Sequence, residues 1–156
     1  MHTPPHGLSS SPMITDRLKG NFTEYAAYHH TQGNQWSHYF GIPMIAMTLL
    51  GLLARITLGP TDLGMLFLSA SLLWCLYLDW KISVPYSFVI LGLYFIGRTL
   101  SLEINGVIFV LGWVIQGIGH YVYEKKSPAF LTNIKHVLIG PLWIFAKLTG
   151  YGKTPT

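Results

Sequence analysis

Leu63-Gly-Met-Leu-Phe-Leu-Ser-Ala-Ser-Leu-Leu-Trp-Cys-Leu-Tyr-Leu-Asp-Trp80 decides the fold. No charged residue interrupts it before Asp79, and a run of that length and apolarity is a membrane-helix signal. Three more runs flank it: Ile42 to Ile56, Tyr86 to Leu102 and Val107 to Ile118. Each approaches the roughly 20 residues that a spanning helix needs, the first and last only if flanking aromatics and histidines are included. Turns of a few residues join the runs, at Leu58-Gly-Pro-Thr-Asp62, Lys81 to Pro85 and Glu103 to Gly106, so neighbours are antiparallel. Gly51, Gly64, Gly92, Gly97 and Gly112 lie within the runs, where small residues let helices approach closely.

Composition agrees. The 156-residue chain is 51% hydrophobic and 10% charged, against about 25% charged in ordinary soluble domains. Too few charges remain to cover a soluble surface. The net charge of +4 is not gathered into a basic patch with aromatics, which argues against a nucleic-acid partner and leaves membrane lipid as the surroundings. The single cysteine, Cys75, lies inside an apolar run and excludes both a disulfide framework and a cysteine metal site.

The expected fold is therefore all-α: a membrane helical bundle of four spanning helices in one domain, residues 16–150. An amphipathic helix over Asp16–Trp36 precedes it, and a short interfacial or re-entrant helix over His136–Leu148, broken by Gly140-Pro141, follows. Residues 1–15 and 151–156 are expected to be tails, with His2 and His6 solvated and disordered. Met1 to Pro12 lacks the charged and apolar regions of a signal peptide, leaving targeting to the first span. Arg17 and Lys19 precede span one, while Lys125, Lys126 and Lys135 follow span four. The positive-inside rule places both segments in the cytoplasm, with the chain in a bacterial inner membrane or the endoplasmic reticulum.

With four spans, two polar clusters fall on the same face. Ahead of span one, Tyr25-Ala-Ala-Tyr-His-His-Thr-Gln-Gly-Asn-Gln-Trp-Ser-His-Tyr-Phe-Gly-Ile-Pro43 carries His29, His30 and His38; after span four comes Gln116-Gly-Ile-Gly-His120-Tyr-Val-Tyr-Glu124. Four-residue spacing aligns His30, Asn34 and His38 on one helical face, and Gln116, His120 and Glu124 on another. His29 points elsewhere on an ideal helix and joins only if the chain bends near Gly33. Facing rows of this kind assemble metal sites in bundles, and imidazoles with a carboxylate suit Fe(II) or Zn. Histidines at a membrane surface also simply reach for headgroups, which keeps a non-catalytic lipid-binding or scaffold reading open. His136 fits either a ligand or an interfacial residue.

Tyr25-x3-His29-His30-x3-Asn34-x3-His38-x2-Gly41-Ile42-Pro43, with Gly112-Trp113-x2-Gln116-x2-Gly119-His120-x3-Glu124-Lys125-x2-Pro128-Ala129, resembles the Mpo1-like family of small multi-pass proteins. The likeness runs from about Phe22 to Leu148, the middle spans matching only in hydropathy. It implies an Fe(II)-dependent dioxygenase of fatty-acid α-oxidation, which shortens a 2-hydroxy long-chain fatty acid by one carbon with O2. The family's motif histidines fall on His29, His30, His38 and His120 as metal ligands, and Asn34, Gln116 and Glu124 become orienting groups. The family pattern does not require histidine at His136. The rival enzyme is a Zn-dependent membrane lipid hydrolase using the same histidines, with Glu124 as general base.

Overall fold

A computed structural model describes residues 14–131 and 133–153; the expectations for His2, His6 and the extreme termini lie outside them. Six α-helices follow in order among these residues: α1 (Asp16–Ala26), α2 (Gln32–Leu53), α3 (Leu63–Leu78), α4 (Trp80–Thr99), α5 (Leu102–Gly117) and α6 (Lys135–Thr149). A π-helical turn, Ile118–Glu124, prolongs α5. Among the described residues three helices are long and apolar enough to cross a membrane: Gln32–Leu53, Trp80–Thr99 and Leu102–Glu124. The stretch Leu63–Leu78 is apolar but shorter, about 24 Å at 1.5 Å per residue.

The starts of α1 to α5 each have a local cause. Thr15, Thr31, Asp62, Asp79 and Ser101 are N-caps whose side chains accept from the backbone amides of Leu18, Asn34, Met65, Lys81 and Ile104. Between α2 and α3 a two-residue loop closes a small hairpin, β1 (Thr57–Leu58) with β2 (Thr61–Asp62). Gly59 supplies the positive φ (66°) that such a tight loop demands.

The expected helix over Asp16–Trp36 is broken. It ends at Ala26, and Thr31 caps a new helix that begins ten residues ahead of the first apolar run. Asn34 and His38 therefore ride on the first turns of α2, and their neighbours in residues 27–31 form a bent connection. The last apolar segment is one helix through Pro141, and it buries His136, Ile139, Leu142, Trp143 and Ile144 against the rest of the molecule.

α2 lies at the centre. α3 runs back along it, α4 runs parallel to it and α5 antiparallel, which brings the start of α2 beside the end of α5. α1 and α6 pack over that end. Asp79 fastens the arrangement, accepting from Thr15 N (3.1 Å) and Tyr151 OH (3.0 Å) as well as capping α4. Outside, Leu73, Phe88, Val107, Val110 and Val114 are exposed, while Thr48, Ser83 and Asn105 are buried. Soluble proteins rarely present so much apolar surface.

Candidate metal centre

The bend between α1 and α2 turns His29 inward. His29 is 2% exposed, whereas the side chain of His30 faces outward. His29 meets His38 from α2 and His120 from the π-turn, with ring centroids 4.3 Å (His29–His38), 5.1 Å (His29–His120) and 4.9 Å (His38–His120) apart. One nitrogen of each ring falls within 4.8 Å of those of the other two.

The hydrogen bonds fix which nitrogens face inward. His29 Nδ1 lies 2.6 Å from Tyr25 O, and His38 Nδ1 lies 2.9 Å from Asn34 O. A carbonyl only accepts, so both rings carry their proton on Nδ1 and present a lone pair at Nε2. Those two Nε2 atoms are 2.9 Å apart. Two lone pairs at that distance repel unless a cation or proton lies between them. Two nitrogens bound to one ion at right angles, with bonds of about 2.1 Å, would stand about 3 Å apart. His120 Nδ1 is buried without a hydrogen-bond partner. The donor set therefore fits a metal ion.

His29 is also pulled down to about 4 by burial, against a weaker opposing effect of its bond to Tyr25 O. It stays neutral, as a ligand must. The Tyr25 ring stacks on it at 4.1 Å, and Trp143 from α6 backs Tyr25 at 5.1 Å.

Glu124 does not join the histidines. Its carboxylate accepts from His30 N (3.0 Å), Thr31 N (3.0 Å), Thr31 Oγ1 (2.9 Å) and Asn34 Nδ2 (3.2 Å). It thereby holds the α1–α2 bend that aims His29. Asn34 links the parts: its amide nitrogen also donates to Tyr28 O (3.2 Å), and its backbone carbonyl receives His38 Nδ1. The π-turn lets Gly119 pass so close that a Cβ there would lie 2.7 Å from Asn34 Oδ1 and from Ser37 Cβ. Such turns recur at functional sites.

Gln116 lines the cavity beside the histidines, its amide nitrogen 3.5 Å from Ser37 O. His136, 5% exposed, lies edge-on to Tyr25 at 5.6 Å with Nε2 3.3 Å from Glu24 Oε1, and it borders the cavity outside the group of three. Of the sequence-derived residues, then, His29, His38 and His120 come together. Asn34 and Glu124 brace them, Gln116 adjoins them, and His30 contributes its backbone amide.

Sequence reasoning missed Thr31 and Trp143 as parts of the site and gave Tyr25 only as the first position of the motif. Thr31 carried only a weak signal, since threonine favours helix N-caps but neither Glu nor Gln stands three residues on. Trp143 becomes a neighbour only through the tertiary packing of α6.

The family described as 2-hydroxy-palmitic acid dioxygenase Mpo1-like matches residues 15–151. The curated protein named 2-hydroxy-palmitic acid dioxygenase MPO1, from Saccharomyces cerevisiae, is 27% identical over 136 residues, which cover 81% of this chain and 76% of the relative. No solved structure matches. By the extent of that match and the motifs it spans, the chain belongs to the Mpo1-like family.

Proposed function

We propose that this protein is an Fe(II)-dependent dioxygenase that removes one carbon from 2-hydroxy long-chain fatty acids. The observation that carries the reading is the pair of facing Nε2 lone pairs, 2.9 Å apart, opening onto an apolar cavity lined by Ile42, Leu49, Leu72 and Ile90. The reaction balances as RCH(OH)CO2H + O2 → RCO2H + CO2 + H2O: the C1–C2 bond breaks and the substrate supplies all four electrons. Iron held by His29, His38 and His120 would supply the redox chemistry with O2. The chain's own residues do the rest. Tyr25 and Asn34 carbonyls keep the imidazole protons on Nδ1, the helices around the cavity exclude water, and the apolar walls receive the acyl chain.

Glu124 favours this reading over a zinc hydrolase. Three histidines also suit zinc, but a general base needs a free oxygen near the metal. Both carboxylate oxygens of Glu124 are engaged by donors of the α1–α2 bend. The relative's printed name supports an oxidoreductase acting on a 2-hydroxy acid.

The chain crosses the membrane four times in this reading. α4 runs parallel to α2, so α3 carries the chain back across, short as it is. That parity supports one shared face for His38 and His120, and the lysines of residues 125–135 favour the cytoplasmic side for it.

The test is O2 uptake by protein loaded anaerobically with Fe(II), given 2-hydroxyhexadecanoic acid, with products identified by mass spectrometry. A fatty acid one carbon shorter, absent without O2 and absent in His120→Ala, is expected. Lipid hydrolysis that needs zinc and not O2 would overturn the reading.

A further inference from the structure

The cavity has a measurable depth. Along α2 its wall is His38, Ile42, Ile45, Ala46, Leu49 and Leu50, a single helical stripe that starts at the metal centre. From α3 it takes Phe67, Leu68, Ser71, Leu72 and Cys75, and from α4 Tyr86 and Ile90. Its lining is almost wholly apolar away from the histidine end.

The far end is closed by backbone. A Cβ at Gly64, in the first turn of α3, would lie 2.6 Å from Leu50 O and 3.0 Å from Ala54 N. α2 and α3 therefore touch there and spread apart toward His38 and Cys75, leaving a wedge. On another side of α2, Gly51 meets the Gly97 carbonyl and Gly97 meets the Met47 carbonyl, so α4 also closes at this level. Leu50 and Leu68, 3% and 2% exposed, form the floor.

We infer that this wedge is a ruler for acyl-chain length, with Leu50 and Leu68 as its stop; the inference rests on the fatty-acid reading above. From His38 to Leu50 the wall is about 18 Å long at 1.5 Å per residue. An extended chain with bonds of about 1.52 Å advances about 1.25 Å per carbon, so about fourteen methylenes fit beyond C1 and C2. The chain best accommodated has about sixteen carbons. Ala46 stands eight residues from His38, about 12 Å, level with the end of a chain of about twelve carbons.

The experiment measures affinity, not turnover. Plain saturated acids of eight to twenty carbons, without the 2-hydroxyl, displace a fluorescent fatty acid from metal-free protein in lipid nanodiscs. Referred to the free aqueous concentration of each acid, measured separately because the acids also partition into the lipid, affinity is expected to rise about fourfold per methylene, from about 0.8 kcal/mol each, until it levels off near sixteen carbons. Ala46→Phe moves the plateau to about twelve carbons, and Ser71→Phe, from the opposite wall, shortens it too should the first variant fail to accumulate. Leu68→Ala lengthens it.

A plateau that stays in place in all three variants overturns the ruler, even if the wild type oxidises 2-hydroxy acids. A plateau that moves as described supports the ruler, even if no oxidation is found, and the failure then belongs to the proposed reaction alone.

Discussion

At the hairpin end of the bundle Asp62 meets Tyr94 and Arg98; at the other end His29 meets His38 and His120. Both groups place ionisable side chains in buried positions, yet they are built differently. Asp62 Oδ1 accepts from Met65 N (2.8 Å), Oδ2 accepts from Tyr94 OH (2.6 Å), and Arg98 stands 3.8 Å away. Burial alone would raise the Asp62 carboxyl; the bonds from Tyr94 and Met65, with Arg98, hold it below its usual range. Every strong acceptor there has its donor. At the histidine end the outward nitrogens of His29 and His38 are satisfied by carbonyls, their inward ones have only each other, and His120 Nδ1 has no partner. A closed polar group holds a fold together, whereas an open one is held by the fold for a ligand.

The largest effects should come from the open group. His38→Ala and His120→Ala are expected to bring metal content and O2-dependent turnover to background while the hairpin end stays folded. Retention of wild-type metal by either variant would remove that residue from the ligand set.

Next comes the brace. Glu124→Gln withdraws the charge that gathers the His30 and Thr31 amides, and lost hydrogen bonds to a charged group cost about 1.5–3 kcal/mol. Because that bend aims His29, metal affinity should also fall by roughly 10–100-fold. A variant that loses stability and keeps full affinity would separate the bend from the site.

Acid should act on the histidine end as well. Neutral His29, held near 4 when folded against 6.5 ordinarily, binds its proton mainly after unfolding. Its contribution is whole above about pH 6.5 and is lost as pH falls toward 4. The thermal midpoint of metal-free protein should decline across that window, and less steeply in His29→Asn.

The smallest effect is expected from Tyr94→Phe. It removes two hydrogen bonds from the closed group, the one Tyr94 OH donates to Asp62 and the one it accepts from Arg98, about 2 kcal/mol together, and should leave metal content unchanged. A loss of metal there would mean that the two ends communicate.

Much of this was legible in the sequence. Charge-free runs such as Leu63 to Leu78 give a helical bundle, and short turns give antiparallel neighbours. The parity of the runs brings residues near His38 and His120 to one face. The choice between His29 and His30 was not legible. An ideal helix through Asp16–Trp36 favours His30, and what turns the chain is Thr31 capping α2 while a carboxylate ninety-three positions away takes its amide. Local spacing cannot register a partner so distant in sequence. The depth of the cavity was hidden for the same reason, since it depends on where the glycines of α3 and α4 touch α2.

The most direct test sets the neighbouring histidines against each other. Wild type, His29→Ala and His30→Ala are purified identically, loaded anaerobically with Fe(II), and analysed for bound metal. About one iron per chain is expected in the wild type and in His30→Ala, and none in His29→Ala. Iron retained by His29→Ala, or no iron in the wild type, would contradict a centre built on His29, His38 and His120.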